Sequence, residues 1–178
     1  MKKTLLSLFA LACTLTASAD AVTFEKDGLK YEVTSPTTVR VAENKIAGVT
    51  VNVPASVENN GTTYTVNSIG DEAFKWDNVI NVTLPETIDS IYNSAFTSTK
   101  IVDLTLPSKL VYIGNYAFNS SNLESITIPA SVKHIGNGAF FTCSNLQTVT
   151  FQGNVEELGG SIFYHTPVAK VSLSDDMT

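Results

Sequence analysis

Cysteine and histidine are scarce in this sequence, with two residues of each among 178. Cys13 lies in an apolar N-terminal segment that we expect to be removed, which leaves Cys143 as the only cysteine of the mature chain. One cysteine cannot form an internal disulfide, so we expect packing alone to hold the fold together. Together with His134 and His165 it makes no metal-ligand set, and we expect neither a metal nor another cofactor.

Basic residues are also few: 11 Lys and Arg stand against 17 Asp and Glu, a formal net charge of −6. No basic run follows Lys2-Lys3. Nucleic acids and anionic membrane surfaces attract clustered positive charge, so we do not expect either as a partner. The hydrophobic content of 43% is that of a globular chain, and the length suits one domain with its own core.

The N-terminus has the order of a secretory signal peptide. A basic pair, Lys2-Lys3, precedes an apolar segment from Leu5 to Leu15 and a small-residue cleavage signal, Ala17-Ser18-Ala19. The apolar segment is too short to span a membrane, and we expect no transmembrane segment. We assign residues 1–19 to a signal peptide, with the mature protein secreted or on the outer cell surface or in the periplasm. A lipoprotein attached through Cys13 is the alternative, although Ala10-Leu11-Ala12 matches that signal poorly.

A repeat runs through most of the chain. Ala-Phe occurs at 73–74, 95–96, 117–118 and 139–140, always 22 residues apart, and Ile162-Phe163 continues the series one residue late. Apolar residues recur in the same register. The columns are Val79, Ile101, Leu123, Leu146 and Val168; Val82, Leu104, Ile126, Val149 and Val171; Leu84, Leu106, Ile128, Phe151 and Leu173; Ile88, Leu110, Val132 and Val155; and Ile91, Ile113, Ile135 and Leu158.

Each repeat contains a short strand and a turn. The apolar-x-apolar step is rich in Val, Ile, Leu and Thr, which predicts a strand, and Pro85, Pro107 or Pro129 ends it. The Ala-Phe step predicts one helical or 3₁₀ turn, and a glycine before it eases the bend. One such unit cannot bury its apolar side alone, whereas stacked units build continuous columns. The sequence therefore predicts a mainly β repeat solenoid with a parallel sheet.

The two ends differ from the repeat. Residues 20–47 alternate apolar and polar side chains around Asp27-Gly28, which predicts an antiparallel β cap. Residues 48–178 are assigned to the solenoid of about five units, with a hairpin inserted near 55–65 at Asn60-Gly61. No C-terminal cap is evident after the last strand, so self-association through that edge is a further prediction.

At these residues the chain resembles the BspA-like leucine-rich repeats of secreted bacterial proteins. The resemblance rests on LESITIPASVKHIGNGAFFTCSNL (123–146) and VNVPASVENNGTTYTVNSIGDEAF (51–74), and it covers roughly residues 48–173. It implies a curved leucine-rich-repeat solenoid of 22–23-residue units that is exported and often surface-associated. It also implies adhesion to host proteins such as fibronectin and fibrinogen. A right-handed parallel β-helix is the alternative fold.

Polar side chains alternate with the buried columns along each predicted strand. Because strand side chains alternate faces, these residues should line the exposed face of the sheet, which the resemblance implies is concave. We define the concave stripe as Asn81, Thr83, Asp103, Thr105, Ser125, Thr127, Thr148 and Thr150. It is the candidate ligand-binding surface. The competing explanation is that exposed strands favour threonine for its β-branched shape. Trp76 and Asp77, in the first link, are candidates either for a contact at the rim or for a cap over the hairpin insertion.

No catalytic motif is apparent. Cys143 with His134 or His165 could form a nucleophile and base, but Cys143 stands where other repeats carry Thr99 and Ser121. It is better explained as a small residue of a structural column. We therefore predict a binding module, not an enzyme, that recognises a host protein or glycan through the concave stripe. The alternative is an assembly module that pairs through its C-terminal repeat.

Overall fold

The computed structural model describes residues 21–46 and 48–173. The predicted signal peptide and Cys13 lie outside these residues. The described residues form short strands joined by turns: β1 (Thr23–Lys26), β2 (Leu29–Val33), β3 (Thr38–Asn44), β4 (Thr50–Asn52), β5 (Ser56–Asn59), β6 (Thr62–Ile69), β7 (Asn81–Thr83), β8 (Ser90–Ile91), β9 (Tyr112–Ile113), β10 (Ser125–Ile128), β11 (His134–Ile135), β12 (Thr148–Phe151), β13 (Glu157–Leu158) and β14 (Lys170–Leu173).

One long sheet runs the length of the molecule in the order β1-β2-β3-β6-β8-β9-β11-β13, with β5 paired to β6. From β3 onward its successive strands are parallel, whereas β1, β2 and β3 pair antiparallel at the N-terminal end. β5 and β6 form an antiparallel hairpin whose turn holds Asn60 and Gly61 with positive φ. Each coil thus adds one strand to the sheet, which is the parallel solenoid that the repeat predicts.

A second row of strands lies on the other side of the coils. In it β4 pairs with β7, and β10, β12 and β14 pair in that order, all in parallel. The apolar residues of β4, β7, β10 and β12 point inward, where Val82, Ile126 and Val149 are buried. The two rows of strands enclose the core between them.

Four stacked phenylalanines form the centre of that core. Phe74, Phe96, Phe118 and Phe140 are fully buried, and Phe163 extends the stack. Successive ring centroids lie 4.9, 5.4, 5.3 and 5.7 Å apart, with interplanar angles of 15° or less. The backbone follows the same ladder, since the N–H of each phenylalanine donates to the residue before the next one, as from Phe96 to the Ala117 carbonyl at 2.7 Å. The recurrence of Ala-Phe is therefore a packing requirement of adjacent coils.

The Ala-Phe segments are turns and not the helical or 3₁₀ turns expected from the sequence. No helix occurs among the described residues. The residue before alanine and the second residue after phenylalanine have positive φ, as at Tyr116 (55°) and Ser120 (55°). Left-handed residues on both sides of the dipeptide prevent the right-handed backbone from continuing.

The repeat glycines are needed for close backbone approach. A Cβ added to Gly136 would lie 2.5 Å from the Asn115 nitrogen and 2.6 Å from the Gly114 carbonyl carbon. Gly136 itself is not among the residues with positive φ, so what the structure shows to require glycine here is the close approach of the neighbouring backbone. Beside this column an asparagine ladder joins the coils: the N–H of Asn137 donates to Asn115 Oδ1 at 2.8 Å, and that of Asn115 to Asn93 Oδ1 at 2.9 Å.

The apolar columns are less buried at the last described coil. Leu158, Val171 and Leu173 belong to apolar columns in the sequence but are 59%, 55% and 61% exposed. The expectation that every column member is buried is therefore wrong here. A solenoid buries a side chain between two neighbouring coils, and these residues have a neighbour on one side only among the described residues.

Candidate binding surface

Six of the concave stripe residues lie on one face of β7, β10 and β12, and the other two, Asp103 and Thr105, lie between β7 and β10. Strand pairing sets them in rows: Asn81 and Thr83 stand opposite Thr50 and Asn52, while Ser125 and Thr127 stand opposite Thr148 and Thr150. Six of the eight stripe residues are exposed, and Thr148 and Thr150 are half-buried. The surface is therefore polar and carried by strands whose inward residues are packed.

The stripe is not one continuous sheet. Residues 101–106, which link its two halves, form no strand and pair with neither β7 nor β10 as a ladder. We call this segment the stripe opening. Asp103 and Thr105 are exposed in it, whereas Leu104 and Leu106 are buried. The sequence analysis missed this interruption, because the residues of the stripe opening follow the same apolar pattern as those of the paired strands.

A shallow pocket lies on each side of the stripe opening, and Asp103 and Thr105 line both. One, of about 270 Å³, is completed by Val82, Thr83 and Leu84. The other, also of about 270 Å³, is completed by Leu104, Ser125, Ile126 and Thr127. Asp103 is the only ionisable side chain of the concave stripe. The pockets thus combine apolar walls, hydroxyl groups and one carboxylate, a set that suits recognition of a polar or cationic group.

Trp76 and Asp77 lie apart from the stripe, beside the junction of the N-terminal strands and the first repeat. Trp76 is 72% exposed, and the Lys75 ammonium lies 4.4 Å from its ring centroid. Asp77 Oδ2 accepts a hydrogen bond from Asn44 Nδ2 at 3.0 Å. Burial raises the pKa of Asp77 above its usual value, and the Asn44 hydrogen bond opposes that shift. Asp77 therefore ties the first link to β3.

Cys143 is buried in a structural column. Its Sγ lies 3.0 Å from the Phe118 carbonyl and 3.4 Å from Ser121 Oγ. Burial raises the pKa of the Cys143 thiol, which disfavours the thiolate needed for nucleophilic attack. Thr166 makes the equivalent hydrogen bond to the Phe140 carbonyl of the preceding coil, whereas Thr99 donates to the Phe96 carbonyl of its own coil. The cysteine thus fills a position that serves to satisfy a buried carbonyl.

The two histidines do not join the cysteine. His134 Nδ1 lies 3.0 Å from Glu157 on the long sheet, and the His165 ring meets Tyr164 edge-on at 4.1 Å. In the described ranges no three residues of the types His, Cys, Asp and Glu are grouped so as to hold a metal ion. Nor does any helix of those ranges have the length and apolar character to cross a membrane.

Partly exposed aromatic rings form a row at the turns of the later coils, a feature that the sequence analysis did not identify. The ring of Phe141 lies 6.2 Å from that of Tyr116 and 5.2 Å from that of Tyr164. Tyr116 and Tyr164 are about half exposed. Phe141 and Tyr164 each follow the phenylalanine of their repeat, and that shared register was the available signal, whereas Tyr116 precedes its Ala-Phe pair.

Comparisons with known proteins identify the family to which the repeat belongs. A family model described as the BspA type leucine rich repeat region matches residues 67–178 with six copies. A leucine-rich repeat protein from Bacteroides ovatus is 25% identical with a TM-score of 0.60, over 83% of this chain and 46% of that one. The pneumococcal vaccine antigen PcpA is 20% identical with a TM-score of 0.67, over 87% and 50%.

A leucine rich cell surface protein from Faecalibacterium prausnitzii is 19% identical with a TM-score of 0.59, over 90% of this chain and 56% of that one. The chain therefore spans about half the length of these similar structures. A comparison with curated proteins finds no match.

Proposed function

The chain belongs to the BspA-type leucine-rich repeat family, and from that premise we propose that it is a recognition module that binds a protein or glycan through the concave stripe. The observation that carries the proposal is the stripe itself, in which exposed polar side chains stand in strand register over a packed core. Rigid strands hold such side chains in place at little entropic cost on binding. The burial of Cys143 and its separation from both histidines speak against a thiol enzyme.

We also propose export to the cell surface or medium. The supporting features are the signal-peptide order of residues 1–19 and the printed descriptions of two similar structures as a vaccine antigen and a cell surface protein. Mass spectrometry of the protein recovered from its native cells gives the test. A mature N-terminus at Asp20 is expected, and a lipid-modified N-terminus at Cys13 would replace this proposal with the lipoprotein alternative.

A binding screen tests the recognition proposal. The mature protein is applied to arrays of extracellular matrix proteins, synthetic peptides and cell-surface glycans, and the variant Asp103→Lys/Ser125→Lys is compared with it. The matched control is Glu58→Lys/Ser144→Lys, which makes the same charge change at exposed positions of the β5 hairpin and of a link. Loss of binding in the stripe variant alone is expected. Binding that both variants retain in full would move the function away from the stripe.

Self-association is a second proposal, and the exposed apolar residues of the last described coil favour it. Leu158, Val171 and Leu173 together present an apolar edge, a surface that a second copy can cover. Light scattering over a wide concentration range should show a dimer that Val171→Lys abolishes. A monomer at every concentration, for wild type and variant alike, would exclude the pairing.

A further inference from the structure

A groove lies on the long sheet, the row of strands that does not carry the concave stripe. It has a volume of about 270 Å³ and crosses three successive coils. Side chains in strand register line one part of it, and the asparagine ladder lines another. These residues are Tyr112, His134 and Glu157, then Asn115 and Asn137, with Gly136 and Gly159 between the two sets along the chain. We call this site the long-sheet groove.

The residues in strand register include two aromatic rings. The Tyr112 ring lies 6.3 Å from that of His134 and 5.7 Å from that of Tyr92. Tyr112 and His134 are half-buried, so part of each ring faces the groove. Tyr92 occupies the column in which later coils carry glycine, and it does not line the groove. Such rings offer an apolar face and a polar tip at once.

The asparagine ladder fixes the orientation of its amide groups. Asn115 Oδ1 accepts from the Asn137 N–H at 2.8 Å, and Asn137 Oδ1 accepts from the Gly160 N–H at 2.7 Å. A flipped amide would set an NH₂ group against a backbone N–H, so these contacts settle which atom is the oxygen. Within the described ranges, neither Nδ2 donates to a protein acceptor. The ladder therefore presents two oriented NH₂ donors, one coil apart.

This combination of groups complements a sugar. A pyranose ring has C–H groups on its faces and hydroxyl groups around its rim, so it can pack on an aromatic ring while its hydroxyls accept from an amide. The Glu157 carboxylate, 3.0 Å from His134 Nδ1, supplies an acceptor for hydroxyl donors. Because the donors recur from coil to coil, the groove matches a ligand that repeats as well, such as an oligosaccharide.

Two other classes of ligand match the groove less well. An extended peptide binds a sheet by adding to a free strand edge, but β9 and β11 are each paired on both sides. An anionic ligand would meet the Glu157 carboxylate and a chain with a net charge of −6. An uncharged ligand rich in hydroxyl groups avoids both difficulties.

We propose that the long-sheet groove binds an uncharged oligosaccharide, whose rings pack on Tyr112 and His134 and whose hydroxyl groups bond to Asn115, Asn137 and Glu157. The groove is a second site, separate from the concave stripe, and the inference goes beyond the function proposed for that stripe. Its residues come from three coils, so the site exists only when the coils are stacked.

An NMR titration of the ¹⁵N-labelled mature protein tests the ligand class. The probes are neutral linear hexasaccharides: cellohexaose, laminarihexaose, maltohexaose, mannohexaose and N-acetylchitohexaose. At least one should bind with a Kd of about 1 mM or tighter and shift the side-chain NH₂ signals of Asn115 and Asn137. The absence of binding for every probe, or binding that leaves both NH₂ signals in place, would overturn the proposal.

Truncation of Tyr112 tests the aromatic contact. Tyr112→Ala should weaken binding of the hexasaccharide at least about tenfold, because the apolar face on which the sugar packs is lost. The matched control is Tyr164→Ala, which removes a tyrosine about half exposed at the turns and should leave binding unchanged. Equal affinity of Tyr112→Ala and wild type would refute the site.

Asn137→Asp tests the donor without disturbing the ladder, because it removes the NH₂ group and keeps the acceptor oxygen. A carboxylate already serves in this ladder, where Asp71 Oδ1 accepts from the Asn93 N–H at 3.1 Å. The variant should bind about fivefold more weakly, the loss expected for one hydrogen bond. Asn145→Asp, the same charge change in an exposed link, should bind as wild type does. An equal loss in both variants would refute the hydrogen bond.

Two further outcomes would assign the ligand elsewhere. Hexasaccharide binding that Asp103→Lys/Ser125→Lys abolishes and Tyr112→Ala leaves intact would locate the glycan on the concave stripe, which refutes this inference and supports the function proposed for the stripe. Octalysine is the probe for a cationic peptide. Octalysine binding that Asn137→Asp strengthens, with no hexasaccharide bound, would replace the oligosaccharide with a peptide and overturn the proposal.

Discussion

Truncation of Phe118 measures how much the aromatic stack contributes to stability. Its ring is fully buried between those of Phe96 and Phe140, at centroid distances of 5.4 and 5.3 Å. Phe118→Ala removes the ring and leaves a cavity between two coils, which should lower the free energy of unfolding by about 3–5 kcal/mol. Stacking against two neighbours, worth about 0.5–1.5 kcal/mol for each pair, puts the expected value in the upper part of that range.

The matched variant is Phe163→Ala at the end of the stack. Phe163 is half-buried and has one stacking partner, Phe140, at 5.7 Å. Its truncation should lower the free energy of unfolding by roughly 1.5–2.5 kcal/mol, because less apolar area is returned to water. Thr105→Ser, on the exposed face, should cost about 0.5 kcal/mol or less.

Urea denaturation followed by circular dichroism gives these free energies, with hydrogen exchange of β9 and β11 as a second readout. The second readout is needed because repeat arrays do not always unfold in one step. Equal losses for Phe118→Ala and Phe163→Ala would contradict an energetic contribution that depends on neighbours on both sides. A loss at Phe118 no larger than that of Thr105→Ser would refute the assignment of the core.

Three further results are expected. Gly136→Ala should lower the free energy of unfolding by about 2 kcal/mol through overpacking against the preceding coil. Gly61→Ala has open space around the added methyl group but a positive φ, and it should lower the free energy of unfolding by about 1 kcal/mol. Thermal and urea denaturation compare the two variants, and a larger loss for Gly61→Ala would contradict the close approach at Gly136. The pKa of Asp77 is raised on folding, so its ionisation opposes folding and the stability of the protein falls as pH rises through that pKa. The stability of Asp77→Asn relative to wild type should therefore increase between pH 3 and 7, as measured by urea denaturation midpoints. A stability difference that stays constant across that range would exclude this linkage. Alkylation of Cys143 by iodoacetamide at pH 8 should be slow in the native protein and fast in urea, and rapid native labelling would show that the thiol is not buried.

The repeat class could be predicted because the same residues recur at a regular interval along the sequence. Ala-Phe at intervals of 22 residues, with apolar columns in register, is enough to predict stacked coils, and the resemblance to BspA-like repeats is confirmed by the family match over 67–178. The leucine-rich repeat, not the alternative β-helix, is the fold of the similar structures. The concave stripe remains a prediction as a binding surface, although alternation alone assigned its residues to an exposed face.

Other features depend on contacts between coils. The sequence predicted that the repeat glycines ease a bend, and it did not indicate that Gly136 also lets the Asn115 backbone approach, because that distance exists only after two coils stack. The helical turn expected at Ala-Phe is replaced by left-handed residues such as Tyr116 and Ser120, which the identity of the residues does not indicate.

The sequence by itself determined the length of a coil, the inward columns and the face that carries polar side chains, because these follow from the periodicity of one chain. Only the tertiary structure decided that the stripe is open at residues 101–106 and that Leu158, Val171 and Leu173 are exposed in the last described coil. Pairing and burial belong to two coils at once, so a residue can fit the repeat pattern and still lack the neighbour that would complete it.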